Sequence, residues 1–180
     1  AQDAGLVPVK VNAVAMRGVN DAAVADLLAW CMVRGYELRF IEQMPLDAGH
    51  EWQASSMVTA AEVRAELGKR YRLTPLPERG SAPAERFLVD DGPHTVGIIA
   101  SVSDPFCAAC DRVRLTADGQ LRNCLFANAE SDLRTALRAG ATDADLEEMI
   151  RGEMWRKARG HGIGSPDFHQ PERPMSAIGG

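Results

Sequence analysis

Residues 8–43, PVKVNAVAMRGVNDAAVADLLAWCMVRGYELRFIEQ, carry the pattern that decides the fold. The Val-rich run 8–16 reads as a buried strand. Asn20 is placed to cap a helix, and Val24, Leu27, Leu28, Cys31 and Met32 recur at the spacing of one helical face. Gly35 is placed to stop that helix, and 36–43 reads as a second strand. Strand, helix and strand joined by short links make a βαβ unit, so the two strands are expected to be parallel neighbours. One such unit cannot cover both faces of its sheet, and a parallel sheet normally has more strands on each side. Further strands are therefore expected, in a segment upstream of Ala1. The first residue is Ala1 rather than Met, so a preceding segment is expected as well.

Working outward, the middle of the chain changes character. Thr59 and Glu62 have the spacing of a capping box, opening a short helix that ends near Gly68. Residues 75–84 are rich in Pro, Gly and Ser and read as a surface loop. Residues 85–90 and 94–102 read as two strands about the turn Asp90–Asp91–Gly92–Pro93. A second hairpin, 112–116 with 120–125, turns at Ala117–Asp118–Gly119. Two helices follow, 132–139 capped by Ser131 and 143–157 capped by Thr142. The fold class expected is α/β joined to α+β, divided into residues 1–50 and 51–180.

The bulk composition excludes several functions. A net charge of −5 argues against bulk electrostatic binding to nucleic acid, so any basic site must be local. No apolar run approaches the roughly 18–20 residues that span a bilayer, and no charged-then-apolar leader is present. No nucleic acid or membrane partner is expected, and a cytoplasmic setting is. Four cysteines are too few for a disulfide scaffold. Cys31 lies on the apolar stripe of its helix and reads as core.

The other three cysteines carry chemistry. Cys107-x2-Cys110 is followed, after 13 residues, by Cys124. A CxxC puts two thiols on one tight loop, within reach of one metal centre. The returning strand supplies the third. A three-residue turn with Gly119 at its left-handed position sets Cys124 opposite Arg112, and alternation then puts Cys110, Arg112 and Arg114 on the face of Cys124. Guanidinium forks match phosphate and carboxylate oxygens. Three thiolates leave one position open, on either a zinc ion or a cubane iron cluster. The residues alone leave both open: an iron–sulfur centre beside a phosphate pocket, or a zinc knuckle completed by His94, His161 or His169.

Residues 104–126, DPFCAACDRVRLTADGQLRNCLF, resemble the C-terminal cluster motif of the GTP 3′,8-cyclase family, radical S-adenosylmethionine enzymes that begin molybdenum cofactor biosynthesis. VKVNAVAMRGVND (9–21), LRFIEQM (38–44) and the terminal Gly179–Gly180 resemble the same family, in its order. The resemblance implies a lyase that converts GTP to 3′,8-cyclo-7,8-dihydro-GTP. It implies a [4Fe–4S] cluster on Cys107, Cys110 and Cys124, with an open iron for substrate. It also implies S-adenosylmethionine and a second [4Fe–4S] cluster in the full-length enzyme. Lys10, Arg39, Arg112, Val113 and Arg114 match positions that contact GTP. Met44 matches one beside S-adenosylmethionine, and Gly179 and Gly180 match a tail that reaches the active site. Residues 1–50 would then be part of a radical-S-adenosylmethionine (β/α) barrel, and 51–180 the C-terminal cluster domain. The expected partners are GTP and an N-terminal segment, with homodimer formation left open. Two departures stand out. Asp111 replaces the family's usual Asn, and no CxxxCxxC occurs in these 180 residues. The chain by itself is therefore expected to be inactive. The competing readings are a zinc-binding interaction module and the auxiliary-cluster domain of a peptide-modifying radical enzyme.

Overall fold

A computed structural model describes residues 1–77 and 79–178. The expected βαβ unit is present as β1 (Lys10–Ala15), α1 (Val24–Val33) and β2 (Glu37–Glu42). The strands pair in parallel, Lys10 opposite Glu37 through Ala15 opposite Glu42. Asn20 does not cap α1 with its side chain. Its carboxamide closes the β1–α1 turn instead, accepting from the Met16 N–H at 2.8 Å and donating to the Val14 carbonyl at 2.9 Å. A short 3₁₀ turn, Asp21–Ala23, leads into the helix. Gly35 leaves it with φ of 66°, a conformation that a side chain disfavours.

The further strands come from later in the same chain. After α2 (Ala60–Gly68) come β3 (Leu73–Pro75), β4 (Glu85–Val89) and β5 (Thr95–Ile99). The sheet order is β1-β2-β5-β4-β3. β5 lies parallel to β2, with Leu38 opposite Val96, while β4 and β3 add antiparallel. The sheet is therefore mixed, and β2 is interior to it. The β4–β5 turn holds Asp90 and Asp91 at φ of 52°, as a tight hairpin turn requires. A boundary at residue 50 cuts across this sheet, since β2 and β5 are hydrogen-bonded neighbours. The chain instead forms two compact units, Ala1–Met44 with Gln53–Ala109, and Pro45–Trp52 with the residues from Cys110 onward.

In the first unit α1 and α2 cover one sheet face. Val24, Leu28 and Cys31 of α1 and Val63 and Leu67 of α2 pack with Ala15, Leu38, Phe40, Val96 and Ile98 of the strands. Cys31 is fully buried, and burial pushes its thiol above the ordinary value. The opposite face carries Lys10, Asn12 and Arg39, because side chains alternate along a strand. The helix α2 opens on a complete capping box. Glu62 N–H donates to the Thr59 hydroxyl and Thr59 N–H donates to the Glu62 carboxylate.

In the second unit β6 (Arg114–Leu115), β7 (Gln120–Arg122) and β8 (Ser131–Asp132) form an antiparallel sheet in that order. α3 (Leu133–Arg138) and α4 (Asp143–Trp155) follow. Asp132, not Ser131, caps α3, accepting from Thr135 N–H at 2.9 Å. Ser131 belongs to β8 and donates its hydroxyl to Glu153 at 2.7 Å. Thr142 caps α4 in a second capping box, with Asp145.

Among the described residues no helix is long and apolar enough to cross a membrane.

Candidate functional site

The hairpin β6–β7 is built as its turn residues dictate. Gly119 has φ of 81°, and its N–H donates to the Thr116 carbonyl at 2.9 Å. The Thr116 hydroxyl also accepts from Gln120 N–H at 2.9 Å. Arg173 grips the turn from outside, its guanidinium meeting both oxygens of Asp118 at 3.1 and 2.8 Å. Those bonds, with the Thr116 hydroxyl, hold the Asp118 carboxyl below the usual carboxylate range.

The register is Arg114 opposite Arg122 and Leu115 opposite Leu121. Carried two residues further, the same register sets Arg112 opposite Cys124, although paired strand ends at Arg114. Arg112 donates through Nη2 to Cys110 Sγ at 3.4 Å. Burial pushes the Cys110 thiol up. Hydrogen bonds from the Arg112 backbone and guanidinium, with the charges of Arg112 and Lys157, outweigh that and hold the thiol below its ordinary value. Arg114 is partly buried, and burial first, then Arg112, lowers its guanidinium; Cys124 and Cys110 act in the opposite sense. Arg114 nevertheless stays cationic at neutral pH. Cys110, Arg112, Arg114 and Cys124 thus share one end of one hairpin. Val113 between the arginines is 38% exposed. Asp111 is exposed.

Cys107, itself half-buried, belongs to the first unit and opens an otherwise exposed 3₁₀ turn, Cys107–Ala109. The segment before it is held at two points. The Arg79 guanidinium lies 4.6 Å over the Phe106 ring. The buried carboxylate of Glu42 accepts from Val102 N–H and Ser103 N–H, both at 2.8 Å. Lys10 and Arg39 lie on the sheet face of the same unit opposite α1 and α2. Lys10 meets Glu37 at 3.9 Å. The Arg39 stem crosses Gly97, where a Cβ would fall 3.1 Å from Arg39 Cγ. Met44 follows β2 and is half-buried. Gly179 and Gly180 lie outside the described residues.

Two contributors escape a reading of the sequence. Arg122, 2% exposed, pairs with Glu130 and donates to the carbonyls of Leu125 and Ala127, holding the loop that follows Cys124. Lys157, just past α4, donates to the carbonyls of Arg112, at 2.7 Å, and Asn123. Neither has a sequence signal, since each looks like an isolated cation on a strand or helix end.

The residues fit an iron–sulfur centre in the chemistry of their donors. Cys107, Cys110 and Cys124 are half-buried thiols outside any disulfide, and cations beside Cys110 favour its thiolate. Among the described residues, however, no three His, Cys, Asp or Glu side chains form a group that could hold a metal ion. His161, a candidate zinc ligand, accepts from Ile163 N–H through Nδ1 at 3.1 Å and stacks edge-on against Phe126.

Comparison with known proteins settles the family. The model of the Molybdenum Cofactor Synthesis C family matches residues 36–163. The chain belongs to this family. As a Molybdenum Cofactor Synthesis C protein it has longer relatives. It is 60% identical over 182 residues to GTP 3′,8-cyclase of Streptomyces coelicolor, an alignment that covers all of this chain and 53% of that protein. It is 57% identical over 185 residues to GTP 3′,8-cyclase of Mycobacterium ulcerans, covering all of this chain and 51% of the relative. GTP 3′,8-cyclase of a Mycobacterium species, strain KMS, is 58% identical over 183 residues, of which 52% is covered. The chain spans about half the length of these curated relatives.

Proposed function

We propose that this chain supplies the C-terminal portion of a GTP 3′,8-cyclase, the lyase that converts GTP to 3′,8-cyclo-7,8-dihydro-GTP in molybdenum cofactor biosynthesis. The observation that carries the reading is the hairpin end where Arg112 donates to Cys110 Sγ at 3.4 Å and the register of Arg114 opposite Arg122, carried two residues on, sets Arg112 opposite Cys124. The identity of 57–60% over the whole chain to proteins named for that activity supports it.

In this reading Cys107, Cys110 and Cys124 would hold a [4Fe–4S] cluster. When bound, that cluster supplies an iron with one open position for the guanine of GTP. The protein's own part is to bind and orient. Arg112 and Arg114 present planar donor forks to GTP, with Val113 between them, and charge-assisted bonds of this kind are the strong ones. Lys10 and Arg39 add cations from the face of the first sheet opposite α1 and α2, where Gly97 leaves room for the Arg39 stem. β1 and β2, parallel neighbours, are read as strands of the radical-S-adenosylmethionine barrel, with Met44 beside S-adenosylmethionine. Gly179 and Gly180 act as the tail that enters the active site. S-adenosylmethionine and the second cluster belong to the upstream segment of such an enzyme. A reducing cytoplasm suits cysteines that form no disulfide.

The test is anaerobic reconstitution of the chain with iron and sulfide, followed by GTP binding. Broad brown absorbance, GTP binding weakened by salt, and loss of that binding in Arg112→Ala are the expected results. A colourless chain that takes up zinc and ignores GTP would replace the reading with a zinc-binding module. The chain alone is expected to form no cyclised GTP, and detecting that product would refute this part.

A further inference from the structure

The cysteine hairpin is held at its closed end by backbone and turn bonds, but paired strand covers only Arg114–Leu115 on one side. Among the described residues the paired strand ends at Arg114 opposite Arg122, short of Cys110, Arg112 and Cys124. Carbonyls in that stretch must find donors elsewhere. The Cys124 carbonyl accepts from the Ala127 N–H at 3.3 Å, and the carbonyls of Arg112 and Asn123 both accept from one side chain. Lys157 reaches from the end of α4 and donates from one ammonium to the Arg112 carbonyl, at 2.7 Å, on the outgoing strand and to the Asn123 carbonyl on the returning one. The helix itself is tied to the same point, for Asn123 Nδ2 donates to the Glu153 carbonyl at 3.2 Å. Glu153, 4% exposed, is fixed in turn by Ser131 and Arg156. The lysine thus stands on a braced helix end.

We propose that Lys157 is a positioning residue, a clamp across the open end of the hairpin that sets the separation of the strand ends bearing Cys110 and Cys124. An ammonium suits the task because it carries three donors and no acceptor, so it can serve two carbonyls that would otherwise repel. Its position also adds a cation near the thiols without offering a ligand. The clamp stands on the geometry of this unit alone. Its consequence for an iron–sulfur centre rests on the function proposed above.

The test compares the wild-type chain with Lys157→Met, which keeps the stem and removes the donors, and Lys157→Arg, which keeps charge and donors. In the metal-free chain, hydrogen exchange of amides 112–124 is expected to rise at least about tenfold in Lys157→Met, while exchange in the first unit is unchanged. Lys157→Arg is expected to restore most of the protection. After anaerobic reconstitution with iron and sulfide, loss of the cluster to a chelator is expected to be about tenfold faster in Lys157→Met. Unchanged hairpin exchange in Lys157→Met overturns the clamp. Faster exchange with an unchanged cluster lifetime overturns its role in holding the thiols. A wild-type chain that takes up no cluster, with exchange still faster in Lys157→Met, sinks the cluster reading and leaves the clamp standing.

Discussion

Glu42→Gln should destabilise the first unit more than any surface change, because one carboxylate holds three segments together. Glu42 is 2% exposed at the end of β2. Its Oε1 accepts from Ala60 N–H, at the first turn of α2, at 2.7 Å, and from the Ser103 hydroxyl. Its Oε2 accepts from Val102 N–H and Ser103 N–H. Glutamine keeps the shape but replaces one acceptor oxygen with a donor. If the amide nitrogen takes the Oε2 place, two backbone N–H groups face a donor. At the Oε1 place it opposes only Ala60 N–H, since the Ser103 hydroxyl can rotate to accept. The second arrangement wins. It leaves one buried N–H unpaired, at about 1–3 kcal/mol, and turns the two remaining charge-assisted bonds into neutral ones, at about 1 kcal/mol each. Lower desolvation of a neutral amide offsets part of this. A net loss of about 2–4 kcal/mol follows, equivalent to a melting point lower by at least about 4 °C for a chain of this size. Thermal and urea unfolding measure the total, and hydrogen exchange at residues 60, 102 and 103 locates it. A variant within about 0.5 kcal/mol of wild type, or unchanged exchange at those three amides, would refute the reasoning.

Gly119→Ala should destabilise the second unit by more than about 1 kcal/mol. The residue has φ of 81°, and an added Cβ would fall 2.5 Å from Arg134 Cβ. An unchanged urea midpoint would show that the turn relaxes freely. Acid should weaken the first unit through Glu62, whose carboxyl is held down to about 2, from an ordinary 4.5, by the Thr59 N–H first and then by Arg17 and the Thr59 hydroxyl. A depressed carboxyl stabilises the fold above its unfolded value and ceases to do so as pH falls through its folded one. Unfolding free energy should therefore drop between pH 4.5 and about 2, and Glu62→Gln should flatten that slope. Parallel pH profiles in the two proteins would remove Glu62 from the account.

The amino-acid sequence alone determined the features whose causes are local. The βαβ unit, the Thr59–Glu62 capping box, the Thr142 cap and the Gly119 turn each depend on residues a few positions apart. Helical periodicity and positive φ act at that range. The CxxC hairpin with its two arginines was legible for the same reason, since one turn type fixes the register. Partners far along the chain were not legible. β5 reads as half of a hairpin with β4, and nothing in residues 95–99 says that its other edge pairs in parallel with β2. Glu42 reads as a strand-end charge until Val102 and Ser103 arrive beside it, and Lys157 reads as a solvated helix-end lysine until the carbonyls of Arg112 and Asn123 do. Only the tertiary structure decided these, because a buried polar group is satisfied by whatever donor or acceptor packing delivers, and packing ignores distance along the chain.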